Sequence, residues 1–361
     1  MNTRNLQSGP FARAEGGVGD LMRLVMLALA PATGFGLLIF GWPALLLLIV
    51  TLTSALAFEA LSLKLAGKPL RPTLWDGSAL LSGWLLALSL PPWAPWWIGC
   101  FGAFIAIALG KHVYGGLGQN LFNPAMLARV TLLVSFPLEM TQWVEPAPLL
   151  FPHSPGLLES FRIVFGHAPI DAYGGATAIG LMKTGLTQGH SPAETLAEHF
   201  SLIPALIGYT GGSLGETSEL LILAGGVWLL HRKVITWHIP VSLLGTVFVL
   251  AAFAHLANGE RYPGPLFHLA SGGVMLTAFF IATDYVTSPN SRTGQLIFGA
   301  GCGLLIYVIR TFGGYPEGAG FAVLLMNAAT PLIDYYVKPR IYGRDRKGRP
   351  LELENSRHDR R

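Results

Sequence analysis

Apolar residues gather into blocks parted by short polar or Pro/Gly breaks, at 21–40, 44–64, 76–91, 93–110 and 121–136, then at 214–231, 237–257, 266–283, 294–310 and 318–337. Several reach the ~20 residues that a helix needs to cross a bilayer, so the pattern predicts about ten transmembrane helices. Lipid offers unpaired backbone groups no partner, which restricts such blocks to helix. Between the two sets of five lies a polar, Pro- and Gly-containing stretch, 137–201, too long for a simple connection and therefore read as an insert.

Composition excludes a soluble globular domain: hydrophobic residues make up 52% of the chain and charged residues 12%, against about 25% charged in ordinary domains. Mean hydropathy is +0.50. The polar, Gly-rich start lacks the pattern of a cleaved signal peptide, and none is expected. Arg4, Arg13, Arg23, Lys64, Lys68, Arg71, Lys111, Arg232, Lys233, Arg292 and the tail from Lys338 fall on one side of the layout. Arg162, Lys183, Arg261 and Arg310 fall on the other. The positive-inside rule then puts both termini in the cytoplasm and the insert outside it. The expected divisions are a cytoplasmic arm at 1–20, a first membrane repeat at 21–136, the extracytoplasmic insert at 137–201, a second membrane repeat at 202–337 and a basic cytoplasmic tail at 338–361. The tail reads as an orientation signal rather than a nucleic-acid site.

The two sets resemble each other. One ends in YGGLGQNLFNPAML from Tyr114 and the other in FGGYPEGAGFAVLLMNAATPL from Phe312, and Cys100 and Cys302 fall at similar places. Five helices per set would reverse the second set in the membrane, an inverted-topology repeat. The third and fifth spans of each set read as short and interrupted, the kind of helix that meets near the midplane to form a site. On this ground alone the chain could be a small-solute secondary transporter or channel.

In the insert, Asp171-Ala-Tyr-Gly-Gly-Ala-Thr177 surrounds a hydroxyl with small residues, which predicts an open Thr177, and Gly174-Gly175 permits a backbone that a bulky group could approach. As a pattern by itself it is an ordinary Gly-rich turn. It is, however, similar to the flavin-attachment motif in which a transferase links FMN through its phosphate to a Thr or Ser, departing from it at Gly174, where a hydroxyl residue is preferred. With GQNLFNPAMLARV from Gly118, GGSLGETS from Gly211, FFIATDYVTSP from Phe279 and NAATPLIDYYVKPRIYG from Asn327, the chain resembles the RnfD/NqrB family of membrane subunits from about residue 23 to 343. Its short N-terminal arm is more like RnfD.

The resemblance implies a multi-pass subunit of the bacterial inner membrane with covalent FMN on Thr177 and a second flavin, riboflavin, in the membrane domain. It also implies a redox-driven Na⁺ or H⁺ translocase working between NADH and ferredoxin, inactive as a lone chain. Its partners would be other membrane and peripheral subunits, including a periplasmic FMN subunit, and a flavin transferase for maturation. Asn120 and Asn123, three apart, then read either as caps of the fifth span, with Asn120 near the N-cap, or as hydrogen-bonding groups for a flavin ring. Asp284 reads as a solvated helix end or as a residue of the ion path or second flavin. Ser213 and Glu216 stand at capping-box spacing before the sixth span, where a helix N-terminus would also favour FMN. Arg129 needs a protein partner inside the membrane. The histidines show no metal-ligand spacing, the cysteines read as inert packing residues, and PPWAPWW from Pro91 reads as an interfacial aromatic belt.

Overall fold

Val18–Leu65, here α1, is 48 residues long; a straight helix of that length would reach roughly 70 Å, more than twice the ~30 Å hydrocarbon core. Gly41 resolves the conflict. Its φ of 71° and ψ of −157° lie in a region open essentially to glycine alone, and a Cβ there would come within 3.1 Å of Ser154 Oγ. The bend divides α1 into two stretches at the break between the first two apolar blocks. The structure, a computed structural model, describes residues 17–149, 151, 154–166, 174–189, 191–315, 317–338, 343 and 349.

After α1 come α2 (Leu70–Leu74), α3 (Ser78–Ser89) and α4 (Trp96–Phe104), which runs on as a π-helical segment, Ile105–His112. Then follow α5 (Pro124–Ser135) and α6 (Pro137–Thr141). The insert holds β1 (Trp143–Val144), α7 (Leu157–Gly166), β2 (Gly174–Gly175), α8 (Ala178–Thr187) and α9 (Pro192–His199). Beyond α10 (Leu202–Ile207) lie a 3₁₀ turn at Leu214–Glu216, α11 (Glu219–His231), α12 (His238–Ala257) and α13 (Pro265–Leu269). The chain closes with α14 (Val274–Leu276), a second π-helical segment at Thr277–Ile281, α15 (Arg292–Phe312) and α16 (Ala319–Tyr336). The described chain is mostly helical, and α1, α12 and α15 are long and apolar enough to cross a membrane. Shorter apolar helices run Trp96–His112, Pro124–Ser135 and Glu219–His231.

The block at 266–283 is interrupted as expected, by the break between α13 and α14. The last block is not. α16 carries through Asn327 and Pro331, because the Asn327 amide finds partners off the helix: it donates to the Thr287 carbonyl at 3.1 Å and accepts from the Asn123 N–H at 3.0 Å. That second bond joins the two similar segments. α12 and α15 pack with backbones close, since a Cβ at Gly299 or Gly303 would overlap Ser242 or the Leu243 carbonyl; small residues four apart serve this purpose between membrane helices.

The insert lies on the helices rather than beside them. Leu149 donates its N–H to the Leu38 carbonyl at 2.8 Å, and Phe165 stacks on Trp96 with centroids 6.2 Å apart. Trp93 departs from the aromatic-belt reading: it is buried, and its indole N–H reaches the Phe40 carbonyl at 2.8 Å, capping the carbonyls freed at the α1 bend.

Candidate functional site

Thr177 is the N-cap of α8, and its hydroxyl oxygen accepts from the Gly180 N–H at 3.0 Å. This corrects the expectation of an open hydroxyl. The small neighbours leave Ala176 exposed while Thr177 itself is only 6% exposed, because an N-cap side chain must turn back over the helix end to satisfy its free N–H groups. Gly175 is required by its strand pairing: β1 and β2 run antiparallel with Trp143 opposite Gly175, and a Cβ at Gly175 would meet Glu145 at 2.8 Å. Thr177, Gly211, Glu216 and Ser271 line one small hollow of about 20 Å³. Asp171 lies outside the described residues. On the far side of α8, Lys183 donates to the Gly313 carbonyl at 2.6 Å. Burial, with Arg310 beyond it, holds that amine below the ordinary lysine range.

The GGSLGETS segment does not form the capping box that its spacing suggested. Ser213 Oγ donates to Glu216 Oε1 at 2.6 Å, so the two side chains satisfy each other, and the N-cap of α11 is Ser218 instead. Glu216 faces two hollows, the one at Thr177 and another lined by Arg129, Thr277 and Glu317. Arg129 is buried, donates to the Ser89 carbonyl and lies 5.8 Å from the Trp143 ring centroid. Its contacts therefore join α5 to α3 and to β1, the partner of the strand that precedes Thr177.

Asn120, Asn123 and Asp284 meet at a different place, a cavity of about 440 Å³ lined by α1, α3, the first π-helical segment and the turns before α5 and after Ile281. Neither asparagine lies on a helix. Asn123, not Asn120, is the N-cap of α5: its side-chain oxygen accepts from Ala125 and Met126 N–H, at 3.1 and 3.2 Å. The helix starts at Pro124, whose ring suits the first turn. Among the described residues the Asn120 amide bonds only locally, to the Phe122 carbonyl at 3.1 Å. Asp284 closes a turn, accepting from the Val286 N–H at 3.4 Å and from Thr287 Oγ1 at 3.1 Å.

The same cavity holds a cation that sequence reasoning assigned to a loop. Lys111 is buried on the π-helical segment, 2.8 Å from Glu59 Oε1 and 2.8 Å from Ser78 Oγ; His112 Nε2 lies 2.9 Å from the other Glu59 oxygen. An acid at position 59, inside an apolar block, was the signal to look for its partner. Arg310, also counted as a loop charge, is wholly buried and pairs with Glu317 at 3.1 Å. The charge skew rests on the remaining cations.

With these sites in place, similarity to known proteins covers nearly all of the chain. The family model described as the NQR2, RnfD, RnfE family matches residues 5–343. The D subunit of the ion-translocating oxidoreductase complex of Stutzerimonas stutzeri is 58% identical over 335 residues, 92% of this chain and 94% of the relative. The protein of the same name from Halorhodospira halophila is 53% identical over 350 residues, 97% and 98% of the two chains. The one from Escherichia coli O139:H28 is 44% identical over 355 residues, 95% and 99%.

Proposed function

Because the chain belongs to the NQR2, RnfD, RnfE family, we propose that it is the D-type membrane subunit of an ion-translocating oxidoreductase complex, carrying electrons through covalent FMN on Thr177 and a second flavin, riboflavin, in the deep cavity. In this reading the complex moves Na⁺ or H⁺ as electrons pass between NADH and ferredoxin, with a periplasmic FMN subunit as neighbour and a flavin transferase for maturation. The chain spans the bacterial inner membrane about ten times as two inverted five-helix repeats, with both termini cytoplasmic and the insert periplasmic. The Asn123–Asn327 bond between matching segments supports the repeat, and the charge skew supports the orientation.

The observation that carries the reading is the deep cavity. Segments distant in sequence bring Lys111, Asn120, Asn123 and Asp284 to one largely apolar space of about 440 Å³, within the range of pockets that enclose cofactor-sized ligands, roughly 300–1,000 Å³. The residues fit a flavin there: apolar walls for the ring, amide and ammonium groups for its polar edge. At Thr177 they fit the phosphate, since a helix N-terminus presents free N–H groups and a favourable dipole, while the hollow beside it excludes the ring. The Gly180 N–H now capped by the Thr177 hydroxyl would pass to a phosphoester oxygen.

A bound flavin supplies the redox chemistry, and the chain supplies position and electrostatics. Lys111 places a buried positive charge at the cavity wall, and Glu59 keeps the ammonium in place. Asn123 holds the entrance of α5.

The test is purification of the chain, then absorbance and flavin extraction. The expected result is a yellow protein releasing riboflavin on denaturation and retaining FMN. A colourless protein that accumulates a small solute in vesicles would return the transporter reading.

A further inference from the structure

Beside the deep cavity, polar side chains from three separate segments make one line of contacts: His112, Glu59, Lys111, Ser78 and Asp76. His112 Nε2 stands 2.9 Å from Glu59 Oε2. The other Glu59 oxygen lies 2.8 Å from Lys111 Nζ, which also donates to Ser78 Oγ at 2.8 Å. Ser78 Oγ in turn donates to Asp76 Oδ1 at 2.6 Å. Glu59 and Lys111 are buried, whereas the two ends of the line come toward water: the His112 side chain is 10% exposed and Asp76 is half-buried. Lys111 and Ser78 line the cavity itself.

A structural ion pair accounts for part of this. Two charges taken out of water need good geometry and further hydrogen bonds, and one ammonium against one carboxylate, steadied by Ser78, supplies them. The line goes further in two respects. Lys111 and His112 are consecutive, and on an α-helix neighbours point about 100° apart. The π-helical turn at Ile105–His112 narrows that divergence and brings both to one carboxylate; such turns recur at functional sites. The second partner is an imidazole, the side chain best suited to take up and release protons near neutral pH, and its nitrogen is within passing distance of Glu59 without being aligned in a settled hydrogen bond. The other respect is the ammonium, which has three N–H groups. Glu59 and Ser78 take two of them, which leaves one for the cavity. Among the described residues the other charged group on the cavity wall is Asp284, and it already serves the Val286 N–H and Thr287.

We propose that this line is a proton relay serving the cavity, with Lys111 the donor to its occupant, Glu59 the carrier and His112 the entry point from cytoplasmic water. Ser78, tied to Asp76, positions the ammonium. The inference rests on the flavin reading of the cavity. When an electron from the tethered FMN reaches the ring there, the Nζ–H bond of Lys111 breaks, an N–H bond forms on the ring nitrogen, and a neutral amine remains. Glu59, protonated at Oε2 by His112, turns its carboxyl group to return a proton to Nζ. His112 takes its replacement from water. One proton is drawn in for each electron, so the cycle leaves no added charge in the apolar interior, where an unpaired one is costly.

The test is pulse reduction of the full chain in nanodiscs by methyl viologen radical, a one-electron donor that carries no proton, with a pH-indicator dye in a weakly buffered medium. Wild type should take up protons as fast as the cavity flavin bleaches. His112→Phe keeps a ring at the same place and should retain riboflavin, yet slow that uptake about 100-fold, the lower end of what a positioned acid or base contributes. Imidazole added to the medium should restore the rate. Glu59→Gln can carry no proton and should slow the same phase beyond rescue by imidazole; if that variant fails to fold, His112→Phe decides alone. The tethered FMN gives a separate phase that neither variant should alter. Uptake at the wild-type rate in His112→Phe, or slowed uptake that imidazole leaves unchanged, overturns the relay. A wild-type chain without extractable riboflavin overturns the proposed function and the relay with it, whereas riboflavin present with uptake unaltered in His112→Phe overturns the relay alone.

Discussion

Around Thr177 the protein offers a hydroxyl at a helix N-terminus and about 20 Å³ of space. Under Asn123 it offers about 440 Å³ and a buried ammonium, two amides and a carboxylate on the wall. A ligand enclosed on most sides gains enough from burial and a few polar contacts to stay without a bond. One that can bury little must be tethered, because association costs several kcal/mol in lost freedom. On the proposed function, the two regions would hold the same class of cofactor in two different ways.

The sharpest break between them is at Thr177. Thr177→Val keeps the shape of the side chain, removes the nucleophile, and should abolish flavin fluorescence in a denaturing gel, whereas Thr177→Ser should keep at least part of it. Riboflavin extracted from the deep cavity should not change in either variant. Thr184→Val should still fluoresce; a dark Thr184→Val beside a fluorescent Thr177→Val would move the attachment point. The lost cap alone costs about 1 kcal/mol, which is too little to unfold the insert and so cannot account for a lost band.

The next effect belongs to the deep cavity. Lys111→Met leaves Glu59 buried with its main partner gone, and such a break costs about 3–5 kcal/mol. A large fall in thermal stability and loss of extractable riboflavin are expected, with FMN at Thr177 retained. Adding Glu59→Gln should recover stability but not riboflavin. Recovery of both would reduce the ammonium to a structural counterion.

These residues also show what the chain disclosed in advance. Apolar blocks located most helices within a few residues, because in lipid the backbone has one solution. The break at Gly41 was visible as well, since a helix twice the membrane thickness has to fold. The spacing of Ser213 and Glu216 misled, because a capping box depends on where the helix begins, and the 3₁₀ turn moves that start to Ser218. Thr177 was legible as a hydroxyl among small residues, but its burial depends on α8 starting at the next position. Lys111, Glu59, Arg310 and Glu317 were misplaced or unnoticed, since loop and core charges look alike until a partner from a distant segment is known. The convergence of Asn120, Asn123 and Asp284 on one cavity is likewise long-range.

A smaller effect separates the two asparagines. Asn123→Leu removes the cap of α5, worth about 1 kcal/mol, and the side-chain contact with the Ile281 carbonyl, so stability and riboflavin content should fall together. Asn120→Leu removes only a local bond and should lower riboflavin with little change in melting temperature. Unchanged riboflavin in a folded Asn120→Leu protein would take Asn120 off the ligand wall and leave Asn123 a cap.

The smallest structural change is expected at Asp284. Asn can keep the acceptor for the Val286 N–H and a contact to Thr287, so Asp284→Asn should fold normally, melt close to wild type, and keep FMN at Thr177. What it removes is the carboxylate charge on a cavity wall that also carries Lys111. If that charge tunes the cavity or serves the ion path, turnover coupled to ion movement falls while flavin content holds, and the reduction potential of the non-covalent flavin rises, because a negative neighbour no longer opposes the incoming electron. Unaltered coupling and potential would make Asp284 a turn residue that happens to face the cavity. The deep site would then owe its electrostatics to Lys111 and Glu59 alone, and the contrast with the tethered site would narrow to volume.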